Sequence, residues 1–568
     1  MTDIRRTLLW VVFSMSLLLI WDAWNKHSGQ PSMFGLSPGK AVAPSPTPAG
    51  SGVPPSLTAL PVPSSTAVST AAVPLTNARP DVVAESVTVS TDRVKATLDS
   101  KGGDLIRVEL LQQVDQFDRS RNVVVLDQSP ERLYVAQTGL VPAAGGAALP
   151  NHQTVMQLVP GERTMRDGVD TLEVKFESPM VGGVKLVKVY TFRRGDYVVG
   201  VRHEVVNTSS AVSSPQLYLQ LVRDGNAPAG ESSFYFTFTG PAIYTDSAKF
   251  KKIDFKSIEK RKPGEQPDHE TSADNGWVGM VQHYFASAWL IDQGTGLRQQ
   301  RDFYSRKVDT NQYAVGMLVP LGELAAGASK AFEARLFVGP QEENRLAELA
   351  PGLELVKDYG WFTILAKPLF WLLTQLHHLL TNWGWSIIAL VVILKIAFFW
   401  LNASAYRSMA KMKKVNPKVM EMRERLKDNP QQMQQEMMRI YREEKVNPLG
   451  GCLPIVAQMP FFIALYWVLL SSVEMRNAPW IGWITDLSAK DPYFILPLLM
   501  TGSSLLQTWL NPTPPDPIQA KLMWIMPLAF SVMFFFFPAG LVLYWLTNNV
   551  LSIAQQYLIN KQLGVLGK

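Results

Sequence analysis

A lysine lies inside one of the most apolar stretches of this sequence, SIIALVVILKIAFFWL, where it occupies position 395. A charged side chain at the centre of a membrane helix costs on the order of 2.5–3.5 kcal/mol. Snorkelling to the headgroups would reduce that cost, but the rest of the helix to Ser404 covers roughly 13 Å at 1.5 Å per residue, more than a lysine side chain reaches. We therefore expect Lys395 to face a hydrated cavity between helices, with snorkelling as the alternative.

Polar residues in the other apolar stretches are candidates to line the same cavity. Gln458 interrupts the run PIVAQMPFFIALYW. In the last apolar run Trp545, Asn549, Ser552 and Gln556 are spaced by four, three and four residues, which places them on one face of a helix. Such residues also join helices to one another by hydrogen bonds. Together with the lysine, they predict a bundle with a hydrophilic interior.

The elements that position these residues are predicted from the distribution of apolar residues. Apolar runs at 7–21, 386–401, 454–470, 493–510 and 522–559 are long enough for membrane helices of about 20 residues. Pro538-Ala-Gly540 divides the last run, so we expect six spans. The first run follows Arg5 and Arg6, as in a signal peptide, but bulky residues replace a cleavage site. An uncleaved anchor is the favoured interpretation.

Positive charge predicts the topology. The net charge is +6, and basic residues concentrate between 403 and 447, whereas the 471–490 connection carries few. By the positive-inside rule, 403–447 and the N-terminus are cytoplasmic. With six spans the C-terminus is also cytoplasmic, and the large segment after the first span is outside. Cys452 is the sole cysteine, so an intramolecular disulfide is excluded.

Two soluble units are expected. Residues 81–350 contain alternating β-branched runs, such as VKLVKVYTF and YVVGVRHEVVN around RRGD, and predict a large antiparallel β-sandwich. In 403–447, apolar residues recur at steps of three and four on both sides of KDNP, which predicts a helical hairpin. Its outer face is either a plain solvated surface or a docking surface for RNA or acidic lipid. The candidate docking residues are Lys411, Lys413, Lys414, Arg423 and Arg425.

The predicted organisation follows from these assignments. It comprises an N-terminal membrane anchor (1–27), a flexible Pro/Ser/Ala-rich tether (28–80), a periplasmic β-sandwich (81–350), an interfacial amphipathic helix (357–382), a second span (383–402), a cytoplasmic helical hairpin (403–447), spans three to six (449–560) and a cytoplasmic C-terminal tail (561–568).

Signatures of enzymes and metal sites are missing. The sequence has no phosphate-binding loop, no H-E-x-x-H and no G-x-S-x-G motif. His377 and His378 point about 100° apart on a helix, and no third ligand is nearby. We expect no covalent catalysis, no cofactor and no metal.

Long motifs resemble the YidC/Oxa/Alb family of membrane protein insertases. They include NWGWSII, the run from MAKMKKVNPKVMEMRERL to NPLGGCLPIVAQMPFFIALYWVL, DLSAKDPYFILPLLM and FPAGLVLYWLTNN, with GWVGMVQHYFASAWL and FTGPAIYTD in the outer unit. The resemblance implies a multi-pass α-helical membrane protein with a five-helix core, a large periplasmic antiparallel β-sandwich and a cytoplasmic hairpin. It also implies a water-filled groove that is open to the cytoplasm and to lipid but closed outside.

The same resemblance assigns roles to individual residues. The family's groove arginine falls on Lys395, which keeps the charge but loses the bidentate fork. The groove glutamine falls on Gln458, and the substrate-contacting aromatic positions fall on Tyr544 and Trp545. Implied partners are nascent membrane proteins, the Sec translocon, and ribosome or signal recognition particle machinery, beside membrane lipids.

The expected function is therefore that of an insertase and chaperone in the bacterial inner membrane, without enzymatic activity. Two alternatives have different consequences. A transporter or channel would use Lys395 as an anion site and would show ion flux in vesicles. A membrane-tethered carbohydrate-active periplasmic protein would use the sandwich, but it leaves the cytoplasmic hairpin and the polar membrane stripe unexplained.

Overall fold

A computed structural model describes Val73 and residues 85–564, except 117, 144–145, 229–236, 293–298, 427–428, 445–452 and 512–516. The predicted anchor, all of the tether except Val73, and the end of the C-terminal tail lie outside the described residues. The described chain divides into a β-rich unit followed by a set of helices, as the sequence predicts.

Within the described ranges, two nine-stranded antiparallel sheets form the β-rich unit. Their strand orders are β1-β2-β3-β4-β5-β10-β17-β16-β13 and β12-β11-β14-β15-β18-β9-β8-β7-β6. The strands are β1 (Ser86–Ser90), β2 (Val94–Asp99), β3 (Asp104–Val114), β4 (Asn122–Gln128), β5 (Leu133–Pro142), β6 (Gln157–Leu158), β7 (Thr171–Glu177), β8 (Val184–Arg193), β9 (Val198–Asn207), β10 (Pro215–Asp224), β11 (Gly240–Thr245), β12 (Lys249–Lys252), β13 (Ser272–Ala273), β14 (Trp277–Val281), β15 (Phe285–Leu290), β16 (Arg301–Asp309), β17 (Gln312–Pro320) and β18 (Ser329–Pro340).

Local sequence explains the hairpins of this sandwich. β8 and β9 pair around the RRGD turn, in a register that sets Val187 opposite Glu204. Gly102 and Gly103 join β2 to β3 with φ angles of +73° and +60°, a backbone region that glycine adopts without strain. Trp289 of β15 donates its indole N–H to the Gln220 carbonyl of β10 at 3.0 Å, so a polar contact links the two sheets through the apolar core.

A charged group lies in the centre of the sandwich. The ammonium of Lys188 is fully buried and donates to the carbonyls of Gly102 and Thr138 at 2.5 and 2.8 Å. The Asp104 carboxylate lies 3.6 Å away. Burial lowers the pKa of Lys188 to about 8 and raises that of Asp104 to about 7. Buried charges persist when they are paired and hydrogen-bonded. The Lys188 ammonium meets both conditions, whereas Oδ1 of Asp104 has no hydrogen-bond partner among the described residues.

The helices begin within the sandwich and continue beyond it. They are α1 (Phe255–Lys260), α2 (Glu343–Leu349), α3 (Thr363–Leu380), α4 (Trp383–Ala397), α5 (Phe399–Arg425), α6 (Pro430–Glu443), α7 (Leu453–Ser471), α8 (Ile495–Leu510), α9 (Pro517–Phe534) and α10 (Ala539–Gln562). Helices α3, α4, α7, α8 and α10, together with Phe534 at the end of α9, contribute to one apolar core, which is separate from that of the sandwich.

Membrane spans are only partly visible in these helices. In the part of the chain that the structure describes, no single helix combines the length and apolar character needed to cross a bilayer. Helices α4 and α5 meet the requirement together, but they bend by 68° at the break between them. Three further apolar segments of the described chain are shorter: Ala457–Ser471 within α7, Ile495–Leu510, which is α8, and Ala520–Phe534 within α9. The count of six spans therefore stays a prediction.

Helices α5 and α6 form a hairpin through the seam that the spacing predicts. Val415, Val419 and Met422 are buried there, and they pack with partly buried side chains of both helices: Met412, Leu426, Met433, Met437 and Ile440. Helix α5 is not interrupted at Pro417, which lies inside it. The Asn429 side chain caps α6 by accepting from the Gln432 amide, and Pro430 follows it at the first turn.

Candidate functional site

Lys395 lies near the C-terminal end of α4, close to the bend. The helix starts at a capped N-terminus, where the Asn382 side chain accepts from the Trp385 amide. Its inward face buries Ile387, Leu390 and Val391. The Lys395 ammonium donates to the Ser552 hydroxyl of α10 at 2.6 Å, and that hydroxyl donates to the Asn548 carbonyl at 2.7 Å. The lysine is thus directed towards α10 by a hydrogen bond within the bundle.

A small cavity of about 20 Å³ borders this lysine. Its polar lining consists of Lys395, Gln458, Tyr544 and Asn548, and apolar residues of α4 and α7, with Phe398 between α4 and α5, complete the wall. A cavity of this size holds roughly one water molecule. The cavity is therefore too small for a client segment, which enters it only if the helices separate.

Gln458 and Tyr544 approach the cavity from two different helices. The Gln458 amide of α7 donates to the Asn402 side-chain oxygen of α5 at 2.7 Å. Tyr544 of α10 is buried, and its ring centre lies 5.4 Å from that of Phe462 in α7. Lys395, Gln458, Tyr544 and Ser552 are thus brought together where α4, α7 and α10 meet.

The other predicted stripe residues face elsewhere. Trp545 packs against Phe534 and Phe537, with ring centres 5.0 and 5.4 Å apart. Asn549 donates to the Ser503 hydroxyl of α8 at 2.8 Å, and Gln556 donates to the Asn511 side chain, just after α8, at 2.9 Å. Asn549 and Gln556 therefore face α8 and its C-terminal end, whereas Trp545 faces the end of α9 and the turn that follows it.

The cavity-lining residues of α10 lie to one side of that stripe. Tyr544 and Asn548 are displaced by about 60–100° from Trp545 around the helix axis, and both line the cavity. Ser552 lies at the boundary and reaches Lys395. The helical period identified the polar face, but it did not identify which neighbour each part of the face contacts. A role for Trp545, Asn549 and Gln556 in client contact stays a prediction.

Two polar residues of the site were not identified from the sequence. Asn548 lies one turn after Tyr544, and this spacing was the available signal. Asn402 is buried, with 5% of its surface exposed, although it lies next to the basic segment. It follows Lys395 by two helical turns in sequence, which was a weaker signal because the chain bends between them.

The predicted docking residues lie along α5. Lys411, Lys414 and Arg425 are exposed, while Lys413 and Arg423 are partly exposed. Lys418 forms an ion pair with Glu444 at 2.5 Å, which links α5 to the end of α6. The basic residues therefore form an accessible surface on a hairpin whose apolar seam is already filled by its own side chains.

Comparison with known proteins identifies the family. The family described as the YidC periplasmic domain matches residues 86–372, and the family described as the 60Kd inner membrane protein matches residues 375–564. A protein of Cupriavidus metallidurans named membrane protein insertase YidC is 54% identical over 563 residues, which cover 99% of this chain and 98% of that protein. The chain belongs to the YidC family.

Other similarities extend this assignment. A YidC protein of Janthinobacterium is 49% identical over 576 residues, covering 99% of this chain and all of that protein. A crystal structure of an active YidC insertase with its first transmembrane domain resolved covers 84% of this chain and 93% of its own chain, with 18% identity and a TM-score of 0.37. The predicted family is confirmed, as is the architecture of a large β-rich domain with several helices.

The boundary between the two family matches lies in α3, between residues 372 and 375. The cavity residues all fall in the part that matches the inner membrane protein family. YidC family members are bacterial inner-membrane proteins, so this location applies to the chain. The α5–α6 hairpin falls in the same matched part.

Proposed function

We propose that this chain is a membrane protein insertase and chaperone, which transfers nascent proteins into the bacterial inner membrane and helps them to fold. The observation that carries the proposal is the position of Lys395. Its ammonium lies inside a helical bundle and donates to the Ser552 hydroxyl, beside a cavity with further polar lining. An uncharged residue would avoid the cost of a membrane lysine, so the charge is retained for a ligand.

Exchange of hydrogen bonds would allow a client to enter. A hydrogen bond to a charged group contributes about 1.5–3 kcal/mol, and a polar or acidic client group would replace Ser552 as the partner of Lys395 at little net cost. The exchange requires α4, α7 and α10 to separate, because the small cavity between them holds about one water molecule. The polar segment would then cross a shorter apolar distance.

The apolar segment of the client would leave next to α9. This helix exposes several large apolar side chains: Leu522, Trp524, Ile525, Met526, Leu528, Phe530 and Val532. Partition of apolar surface out of water supplies about 25 cal/mol per Å². The membrane potential adds about 2.3 kcal/mol per charge per 100 mV. These two terms would drive insertion without covalent catalysis or a nucleotide.

The proposed topology has six spans, with both termini in the cytoplasm and the sandwich in the periplasm. The clustering of positive charge in 403–447 supports it. Helix α3 would lie on the periplasmic membrane surface, since Ile364 and Trp371 expose 87% and 63% of their surface to the surroundings. Membrane lipids would cover these side chains.

The proposed partners include the Sec translocon and the ribosome or signal recognition particle machinery. The exposed basic residues of α5 support contact with a negatively charged partner on the cytoplasmic side. Such a contact would deliver the client close to the cavity, because α5 begins immediately after the bend that follows Lys395.

Insertion of a short two-span protein into vesicles that contain only this chain tests the function. Vesicles with the chain should protect the client's outer loop from protease, whereas empty vesicles should not. Ion flux through the same vesicles is measured in parallel. Flux without client insertion would contradict the proposal and favour the transporter or channel alternative.

A further inference from the structure

We propose that Asn402 is a specificity-determining residue of the insertase, whose side-chain N–H groups bind hydrogen-bond acceptors of the client's polar segment. The inference rests on the proposed function and assigns a second donor to it, beside Lys395. Asn402 lies in the first turn of α5, just after the 68° bend, and is 5% exposed.

The orientation of the Asn402 amide is determined by its neighbour. Gln458 donates its amide N–H to the Asn402 side-chain oxygen at 2.7 Å. The Asn402 nitrogen Nδ2 consequently carries two N–H groups, which point away from that contact. It is buried and has no hydrogen-bond partner among the residues that the structure describes.

An unsatisfied buried donor is costly. Leaving such a group without a partner costs about 1–3 kcal/mol, and most buried polar side-chain atoms have a partner. The Asn402 oxygen already serves Gln458, so the unpaired nitrogen of the same amide indicates a partner that binds during the working cycle. Two site residues that the sequence did predict differ in this respect, since Lys395 and Asn549 each donate to a side chain of the bundle.

The chemical class of that partner follows from the surroundings. The unpaired group is a donor, so its partner is an acceptor: a carboxylate, a side-chain amide oxygen or a main-chain carbonyl. Gln458 connects Asn402 to the cavity, because Gln458 and Lys395 line the same wall. A donor joined through Gln458 to a cavity that holds an ammonium favours carboxylates. Asn402 would therefore contact acidic client segments on their way to Lys395.

Charge at position 402 provides the first test. Asn402→Asp replaces the donor by an anion. Insertion of an acidic-tail client should then fall about tenfold relative to that of a matched basic-tail client, because a hydrogen bond to a charged group contributes a factor of this order. A merely structural residue would slow both clients equally. Thr508→Asp is the control, since Thr508 is equally buried but donates only within α8, to the Ser504 carbonyl. An unchanged acidic-to-basic ratio in Asn402→Asp would overturn the proposal.

Disulfide capture provides a second test that does not depend on charge. In a Cys452→Ser background, Asn402→Cys is combined with a client that carries one cysteine in its acidic tail, and a copper–phenanthroline oxidant accepts the two electrons released when the two thiols form the disulfide. The control is Ser404→Cys, which is exposed and would react faster by random collision. The proposal expects capture at 402 to exceed that at 404 during insertion. Capture at 404 alone would overturn it, whereas failure of the parent protein to insert any client would refute the proposed function.

Discussion

Lys357 and Glu474 form an ion pair at the junction between the sandwich and the helices, with the ammonium 3.1 Å from the carboxylate. Lys357 is buried in the chain that leaves the sandwich, and its ammonium also lies over the ring of Phe370 in α3. Glu474 follows α7. The pair thus fixes three segments at one point, on the side of the bundle that faces the sandwich.

Loss of this buried pair should loosen the junction. Lys357→Met leaves the partly exposed Glu474 carboxylate without its cation, and the loss of such a partner costs about 1–3 kcal/mol. The nearby pair Lys252–Asp358 is partly exposed, so Lys252→Met should cost less than about 1 kcal/mol. Hydrogen exchange of the segment after α7 measures both effects. Equal protection in the two variants would show that the buried pair does not hold the junction.

Some features of this fold were predictable because they depend on local spacing. The seam of Val415, Val419 and Met422 follows from helical steps, and the β8–β9 hairpin follows from alternation around a turn. The junction was not predictable. Arg476 donates to the Val114 carbonyl across 362 residues of sequence, and His283 contacts the Leu470 carbonyl at 2.9 Å. Both contacts depend on how the sandwich and the helices pack against each other.

The candidate site shows the same limit. A charged residue within an apolar run identified Lys395, and an amide within another run identified Gln458. The sequence did not reveal that the polar face of α10 is shared between α8 and the cavity. It also did not reveal that Asn402 is the partner of Gln458. Asn402 lies beyond the bend, next to a basic segment whose composition predicts exposure to solvent.

The stability of the sandwich should depend on pH through His203. Burial and the nearby Lys188 lower the pKa of His203 to about 3, while an unfolded histidine has a pKa near 6.5. Below pH 6.5 the unfolded chain therefore binds a proton that the folded sandwich does not. The free energy of unfolding consequently decreases as the pH is lowered from 6.5 to about 3. His203→Gln should remove about 1.4 kcal/mol of this loss per pH unit.

Hydrogen exchange of β8 and β9 at matched pH checks the His203 prediction. The wild type and His203→Gln are compared at each pH between 6.5 and 4, so that intrinsic exchange rates cancel. His152 has a pKa lowered in the same direction, to about 4, mainly by burial, and His152→Gln should change the pH dependence with the same sign. Parallel curves for the wild type and both variants would contradict the expectation.

The basic face of α5 should contribute to ribosome association. Replacing Lys411, Lys413 and Lys414 by glutamate should weaken binding and reduce its dependence on salt, since each phosphate contact contributes about 0.7–0.9 to the logarithmic slope. Co-sedimentation with ribosomes at several salt concentrations measures both quantities. The control reverses three exposed lysines of the sandwich region: Lys249, Lys251 and Lys256. Equal binding by the two triple variants would remove the docking role from α5.

The central claim is that the charge of Lys395 serves polar client segments, and insertion of two clients that differ only in tail charge tests it most directly. Lys395→Arg should insert both clients, because the charge is kept. Lys395→Leu should insert the acidic-tail client about tenfold more slowly, Lys395→Glu should be slower still, and the neutral-tail client should suffer less in both variants. Each variant is first checked for equal folding. If Lys395→Leu inserts both clients at the wild-type rate, the lysine is not a client-binding cation and the account is wrong.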